Sequence, residues 1–153
     1  MKHFLVFTAA ILVAASMYGQ TLTSNVLGLT VGKIYSESSA KSAVKGSSVA
    51  STRTEADNIA MKGTFNLLDF DWSDIILLGK GKYGIIFRYN CADDAEALSL
   101  FKTLIPAADS AYSKGQRLND TAYIYEGEGG AVELMMQILP SQKNTLSLYF
   151  TRN

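Results

Sequence analysis

The sequence predicts an α+β domain: an antiparallel sheet of about six strands with one main helix packed on one face, in the order β-β-β-α-β-β-β. Three observations point to this two-layer sandwich. Two β-rich runs, residues 74–78 and 83–89, flank Gly79-Lys80-Gly81-Lys82, and glycine supplies the positive φ that a tight hairpin demands. Ala97, Leu98, Phe101, Leu104 and Ile105 then recur at helical spacing and form one apolar stripe. Near the end, Leu146, Leu148 and Phe150 alternate with Ser147, Tyr149 and Thr151, the pattern of an antiparallel strand with one wet face.

In chain order, Met1-Lys2-His3 opens a basic start, residues 4–15 are almost unbroken apolar, and Ala14, Ala15, Ser16 and Gly19 follow as small residues. These are the three regions of a secretory signal peptide, with cleavage expected near Gly19 or Gln20 and a cut after Ser16 as the alternative. A spanning helix needs about 20 apolar residues, and Tyr18-Gly19-Gln20-Thr21 interrupts this run too early. The expectation is a secreted or periplasmic protein without a transmembrane segment after cleavage. No cysteine follows the apolar run to accept a lipid anchor. Together these features fit the class of small exported bacterial proteins.

Residues 20–62 read as an N-terminal extension. Residues 26–35 are β-rich but broken by glycines, a candidate strand or a cover for the sheet. Residues 36–51 are rich in Ser, Ala and Lys and hold too few large apolar side chains to bury much surface, which favours a flexible linker. Glu55, Ala56, Ile59 and Ala60 allow a short crossover helix. The α+β domain proper is then 63–153. Phe65 and Leu67 alternate until Leu68 breaks the period, and residues 69–74 read as a turn into the central hairpin. Asp93 with Glu96 fits a capping box. Pro106 should break or kink the helix, and Gly115 is a plausible stop. Three strands complete the sheet, over 121–126, 131–139 and 145–151.

Composition excludes several functions. Acids and bases are equal at 14 each, so no field draws the chain to nucleic acid. The only histidine, His3, leaves with the signal peptide, taking with it the usual general base and zinc ligand. Cys91, the single cysteine, sits between strand and helix, where cysteine usually behaves as a small buried hydrophobe. Neither Gly79-Lys80-Gly81-Lys82 nor Gly127-Glu128-Gly129-Gly130 precedes a helix that would aim N–H groups at a phosphate. No cofactor and no metal are implied.

Two candidate sites remain. Asp69, Asp71 and Asp74 bring carboxylates together in one stretch, the chemistry of a carboxylate-dependent hydrolase or lyase, although the pattern lacks a calcium loop's glycine and closing glutamate. The second is the outer face of the sheet. If Ala122, Ile124, Val132, Leu134, Met136, Ile138, Leu146, Leu148 and Phe150 point at the helix, the two-residue period leaves Tyr123, Tyr125, Glu133, Met135, Gln137, Ser147 and Tyr149 outside. Arg88 joins them if Ile85 and Phe87 face the core. Tyrosine, methionine and arginine are enriched in contact surfaces. The leading expectation is a non-enzymatic binding domain for a protein, glycan or lipid, using Tyr123, Tyr125, Met135, Tyr149 and Arg88. An envelope structural subunit that pairs through a sheet edge is the other non-enzymatic expectation.

Overall fold

A computed structural model describes residues 25–79, 84–113, 115–127, 129–137 and 144–152. The expected signal peptide, the turn at residues 80–83 and Ile138 lie outside the described residues. The elements are α1 (Glu37–Ala43), β1 (Ser48–Glu55), β2 (Asn58–Leu67), β3 (Phe70–Leu78), β4 (Gly84–Asn90), α2 (Asp94–Tyr112), β5 (Gln116–Asn119), β6 (Ala122–Gly127), β7 (Gly130–Gln137) and β8 (Thr145–Arg152). The eight strands form one sheet in the order β1-β2-β3-β4-β8-β7-β6-β5, antiparallel throughout.

The predicted α+β architecture holds at this level, and the strand count is larger than expected. The three strands foreseen before the helix are β2 to β4, and the three foreseen after it are β6 to β8. Edge strands β1 and β5 are additions. Each half of the chain is a four-stranded meander, and α2 carries the chain from one half to the other. Strand β8 then lies against β4 and joins the meanders, with Ile85 opposite Phe150 and Phe87 opposite Leu148.

Both helices and residues 25–35 lie on one side of this sheet. Their buried residues Val26, Leu29, Val31, Ala40, Ala97, Phe101, Leu104 and Ala108 share a single cluster with the inward positions of the strands. Those positions include Met61, Phe65, Trp72, Ile75, Phe87, Val132, Leu134, Leu148 and Phe150. An aromatic chain crosses this interior edge to face. Phe70 meets Trp72 at 5.0 Å between ring centroids, Trp72 meets Phe87 at 6.4 Å, Phe87 meets Phe150 at 5.8 Å, and Tyr112 of α2 meets Phe150 at 5.9 Å. Such contacts add to burial because the positive ring edge meets the negative face. The indole Nε1 of Trp72 donates to Leu67 O at 3.0 Å, so its one polar group is satisfied.

Several local expectations need correction. Residues 36–51 are not a flexible linker. Ser36 caps α1 by accepting from Ser39 N, Ala40 of α1 is buried, and β1 begins at Ser48. The crossover helix over 50–61 is instead the β1–β2 hairpin, in which Thr54 opposes Ile59 and Glu55 opposes Asn58. Its turn residues Ala56 and Asp57 have φ of 46° and 72°, a primed turn built without glycine. Residues 26–35 supply a single bridge, Val26 to Leu29, rather than a strand. The bend at 69–74 shrinks to Leu68 and Asp69, and β3 already starts at Phe70.

Helix α2 runs unbroken through Pro106. Both Pro106 and Lys102, whose carbonyl loses its donor, are exposed, so solvent can satisfy that oxygen. Asp93 caps the helix by accepting from Glu96 N at 2.8 Å, while the Glu96 carboxylate reaches back to Ala92 N, one residue earlier than a capping box requires. Cys91 is buried as expected, at 1 % exposure. Gly115 has a different task from ending the helix, because a Cβ there would sit 2.6 Å from the Tyr125 ring.

Tyr125 thus belongs to the interior. Its hydroxyl donates to Asp109 Oδ1 on α2 at 2.9 Å, and its ring lies 5.9 Å from that of Tyr112. Tyr125→Ala should destabilise the fold by about 3–5 kcal/mol, the usual cost of deleting a buried aromatic ring, measured by urea unfolding. Burial pushes the phenols of both Tyr112 and Tyr125 well above their ordinary value, with the Asp109 hydrogen bond adding to the rise at Tyr125. The folded state holds these protons more tightly than the unfolded chain does. The stability they contribute is therefore intact below about pH 10 and is lost as pH rises through the folded-state values. Urea midpoints should fall above about pH 10, and Tyr125→Phe should shrink that fall.

Candidate functional site: the outer sheet face

Strand pairing fixes which side chains share the face opposite the helices, because cross-strand partners point the same way. One row runs Ala122, Met135, Ser147, Arg88, Asp74 and Lys62, from β6 through β7, β8, β4 and β3 to β2. The next row runs Ile124, Glu133, Tyr149, Ile86, Ile76 and Ala60 across the same strands. No apolar residue of either row packs against the interior cluster, not even the half-buried Ile76, Ile86, Ile124, Met135 and Tyr149. Residues 25–35, a possible cover for this face, lie with the helices on the other side. Among the described residues nothing outside the strands forms a layer over it.

The structure brings Met135, Tyr149 and Arg88 together on this face. Ile85 and Phe87 are buried, so Arg88 points outward as expected, and Ser147, Glu133 and Gln137 share its side of the sheet. Tyr123 and Tyr125 do not belong there. They oppose Leu134 and Val132, which are core residues, so both face the helix; Tyr123 rests 6.0 Å from Phe101 of α2. Ala122 and Ile124 take the outward positions instead. Hydropathy misleads here because tyrosine offers a large apolar body and needs only one partner for its hydroxyl, which Asp109 supplies to Tyr125. A usable signal was present in the loop length. Gly127 pairs with Gly130, and that two-residue connection forces Tyr125 opposite Val132.

Arg88 and Asp74 sit side by side in the row. Arg88 Nε lies 4.0 Å from Asp74 Oδ2, with the Arg88 side chain 41 % exposed and the Asp74 side chain 8 % exposed. Asp74 also accepts from Ser73 Oγ at 3.2 Å. Tyr149 lies across Gly84, where any Cβ would collide with its ring. The phenol of Tyr149 is held protonated above the ordinary tyrosine value, first by burial and then by the nearby Glu133 carboxylate.

The three aspartates go separate ways. Asp69 sits in the β2–β3 turn at a φ of 53°, exposed Asp71 accepts from Asn66 Nδ2 at 3.0 Å, and Asp74 is buried beside Arg88. A hollow of about 380 Å³ between that turn and α2 is lined by Asn66, Asp69 and Ser110 among others and holds one carboxylate, not the pair that glycosidic cleavage uses. Among the described residues, no three His, Cys, Asp or Glu side chains come together to hold a metal.

No protein-family model matches the chain, and no curated protein or solved structure is significantly similar to it. The fold and the composition of its open face therefore carry the functional reading. Gly84→Ala should cost about 1–3 kcal/mol in a urea melt, the range for forcing extra volume into a filled space. In a Tyr149→Ala background the same Gly84→Ala change should cost much less, since its nearest clash is with this ring.

Proposed function

We propose that the chain is an exported, non-enzymatic interaction domain whose outer sheet face holds a protein, glycan or lipid partner. The observation that carries this reading is the contrast between the two faces. One is filled by two helices and residues 25–35, whereas the other presents half-buried isoleucines, Met135, Tyr149 and Arg88 with no described layer above them. Apolar patches of this kind, rimmed by polar groups, mark places where proteins meet something. Methionine adapts to irregular surfaces, tyrosine adds a rigid ring with a polar tip, and arginine adds directed donors. Tyr123 and Tyr125 have no part in it.

Secretion or delivery to a periplasm rests on the leader-like residues 1–19. No described helix is long and apolar enough to cross a membrane. The non-enzymatic part rests on the absence of histidine after position 3 and on the dispersal of Asp69, Asp71 and Asp74.

The test uses the mature protein, immobilised and exposed to the extracytoplasmic fraction of its own cell. A molecule retained by the wild type should bind at least about tenfold more weakly to Met135→Ala/Tyr149→Ala, a change of ~1.4 kcal/mol. It should bind undiminished to Lys102→Ala, which alters the exposed helix side. Equal retention by all three proteins would remove the outer face from the proposal. N-terminal sequencing of the exported chain should begin close to residue 20; a chain that retains its first residues in the cytoplasm would refute export.

A further inference from the structure

The outer face carries two opposite charges that its own chain leaves incompletely met. Arg88 reaches Asp74 only at 4.0 Å, and its Nε is buried with no hydrogen-bond partner. Glu133 is half-buried, flanked in register by Ile124 and Tyr149, and forms no ion pair among the described residues. A half-buried carboxylate between apolar side chains costs free energy unless another group pairs with it, and Arg88, partly exposed between Ser147 and Asp74, still has an Nε without a hydrogen bond. Both side chains point away from the core, so such a partner must approach from outside.

Their placement constrains which partner fits. Glu133 is on β7 and Arg88 on β4, one to each side of β8 and one row apart. A two-fold axis lying in the plane of this face and passing through β8 near Tyr149 exchanges the two positions. It sets Arg88 of one copy on Glu133 of the other and, by the same operation, Glu133 on Arg88. The isoleucines of the second row then bury one another between the sheets, with the two Tyr149 rings beside the axis. Face-to-face sheets in proteins stand about 10 Å apart, a gap that arginine and glutamate can span from opposite sides. An unrelated partner would need an acid and a base at matching spacing, whereas a second copy has them by construction.

We propose that the outer face is covered by a second copy of this chain, in a symmetric sheet-on-sheet dimer closed by two reciprocal Arg88–Glu133 bridges around Tyr149. This rests on the reading of the outer face as the contact surface and names its occupant.

Sedimentation equilibrium of the mature protein tests it. The wild type should be dimeric at micromolar concentration. Arg88→Glu and Glu133→Arg should each weaken the dimer by at least about tenfold, since each places like charges in contact twice. The double variant, with the charges exchanged, should recover most of the affinity. Near-UV circular dichroism of the single variants, reporting on buried Trp72, separates lost association from lost folding. A wild type that is monomeric across the whole range, or a dimer indifferent to both swaps, overturns the proposal, as does a double variant as weak as the singles. A monomeric wild type that still loses a captured partner through Met135→Ala/Tyr149→Ala would sink the dimer while leaving the broader reading of the face intact.

Discussion

The pairing of β8 with β4 is the constraint on which the rest of this structure depends. Strand β4 closes the first meander and β8 the second, with α2 and three strands between them in sequence, so nothing local brings them together. Once Phe87 stands opposite Leu148 and Ile85 opposite Phe150, two four-stranded meanders become one sheet. The rings of Phe87 and Phe150 meet at 5.8 Å across this seam, and α2 seals it from above through Tyr112. A contact this distant in sequence is costly to close and is repaid only when a large apolar face is buried at the same moment.

The same seam organises the other surface. Arg88 and Ser147 are partners across it, as are Ile86 and Tyr149. The centre of the open face is thus built by the two strands that hold the halves together. A surface on such a rigid base keeps its side chains in place, which suits contact with a partner better than a loop would. Gly84 contributes by absence, since a Cβ there would run into the Tyr149 ring. Gly115 plays the corresponding part inside, making room for Tyr125.

Much of this was legible in the residues. The alternation in 145–151 and the run from Ile85 to Arg88 assign inside and outside correctly, because in each the large aliphatic and aromatic side chains fall on one parity. Strand β6 was not legible by hydropathy, since both of its parities offer apolar bodies and a tyrosine hydroxyl is satisfied only if a partner waits in the fold. Asp109, sixteen residues away, is that partner for Tyr125. The first hairpin was hidden for another reason. Ala56 and Asp57 hold positive φ without the glycine that advertises such a turn, and Ser, Thr and Arg on β1 carry no apolar signal because that strand is an exposed edge.

By itself the amino-acid order determined the class of fold, the main helix with its Asp93 cap, and the inward set of β7 and β8. These follow from period, capping chemistry and composition, all properties of neighbours along the chain. Only the tertiary structure decided that residues 48–62 join the sheet and α1 packs on it, that the tyrosines of β6 turn inward, and that Asp69, Asp71 and Asp74 part company. Each of those outcomes depends on a surface contributed from far along the chain, and the free energy of burying it outweighs the weak local preference that pointed elsewhere.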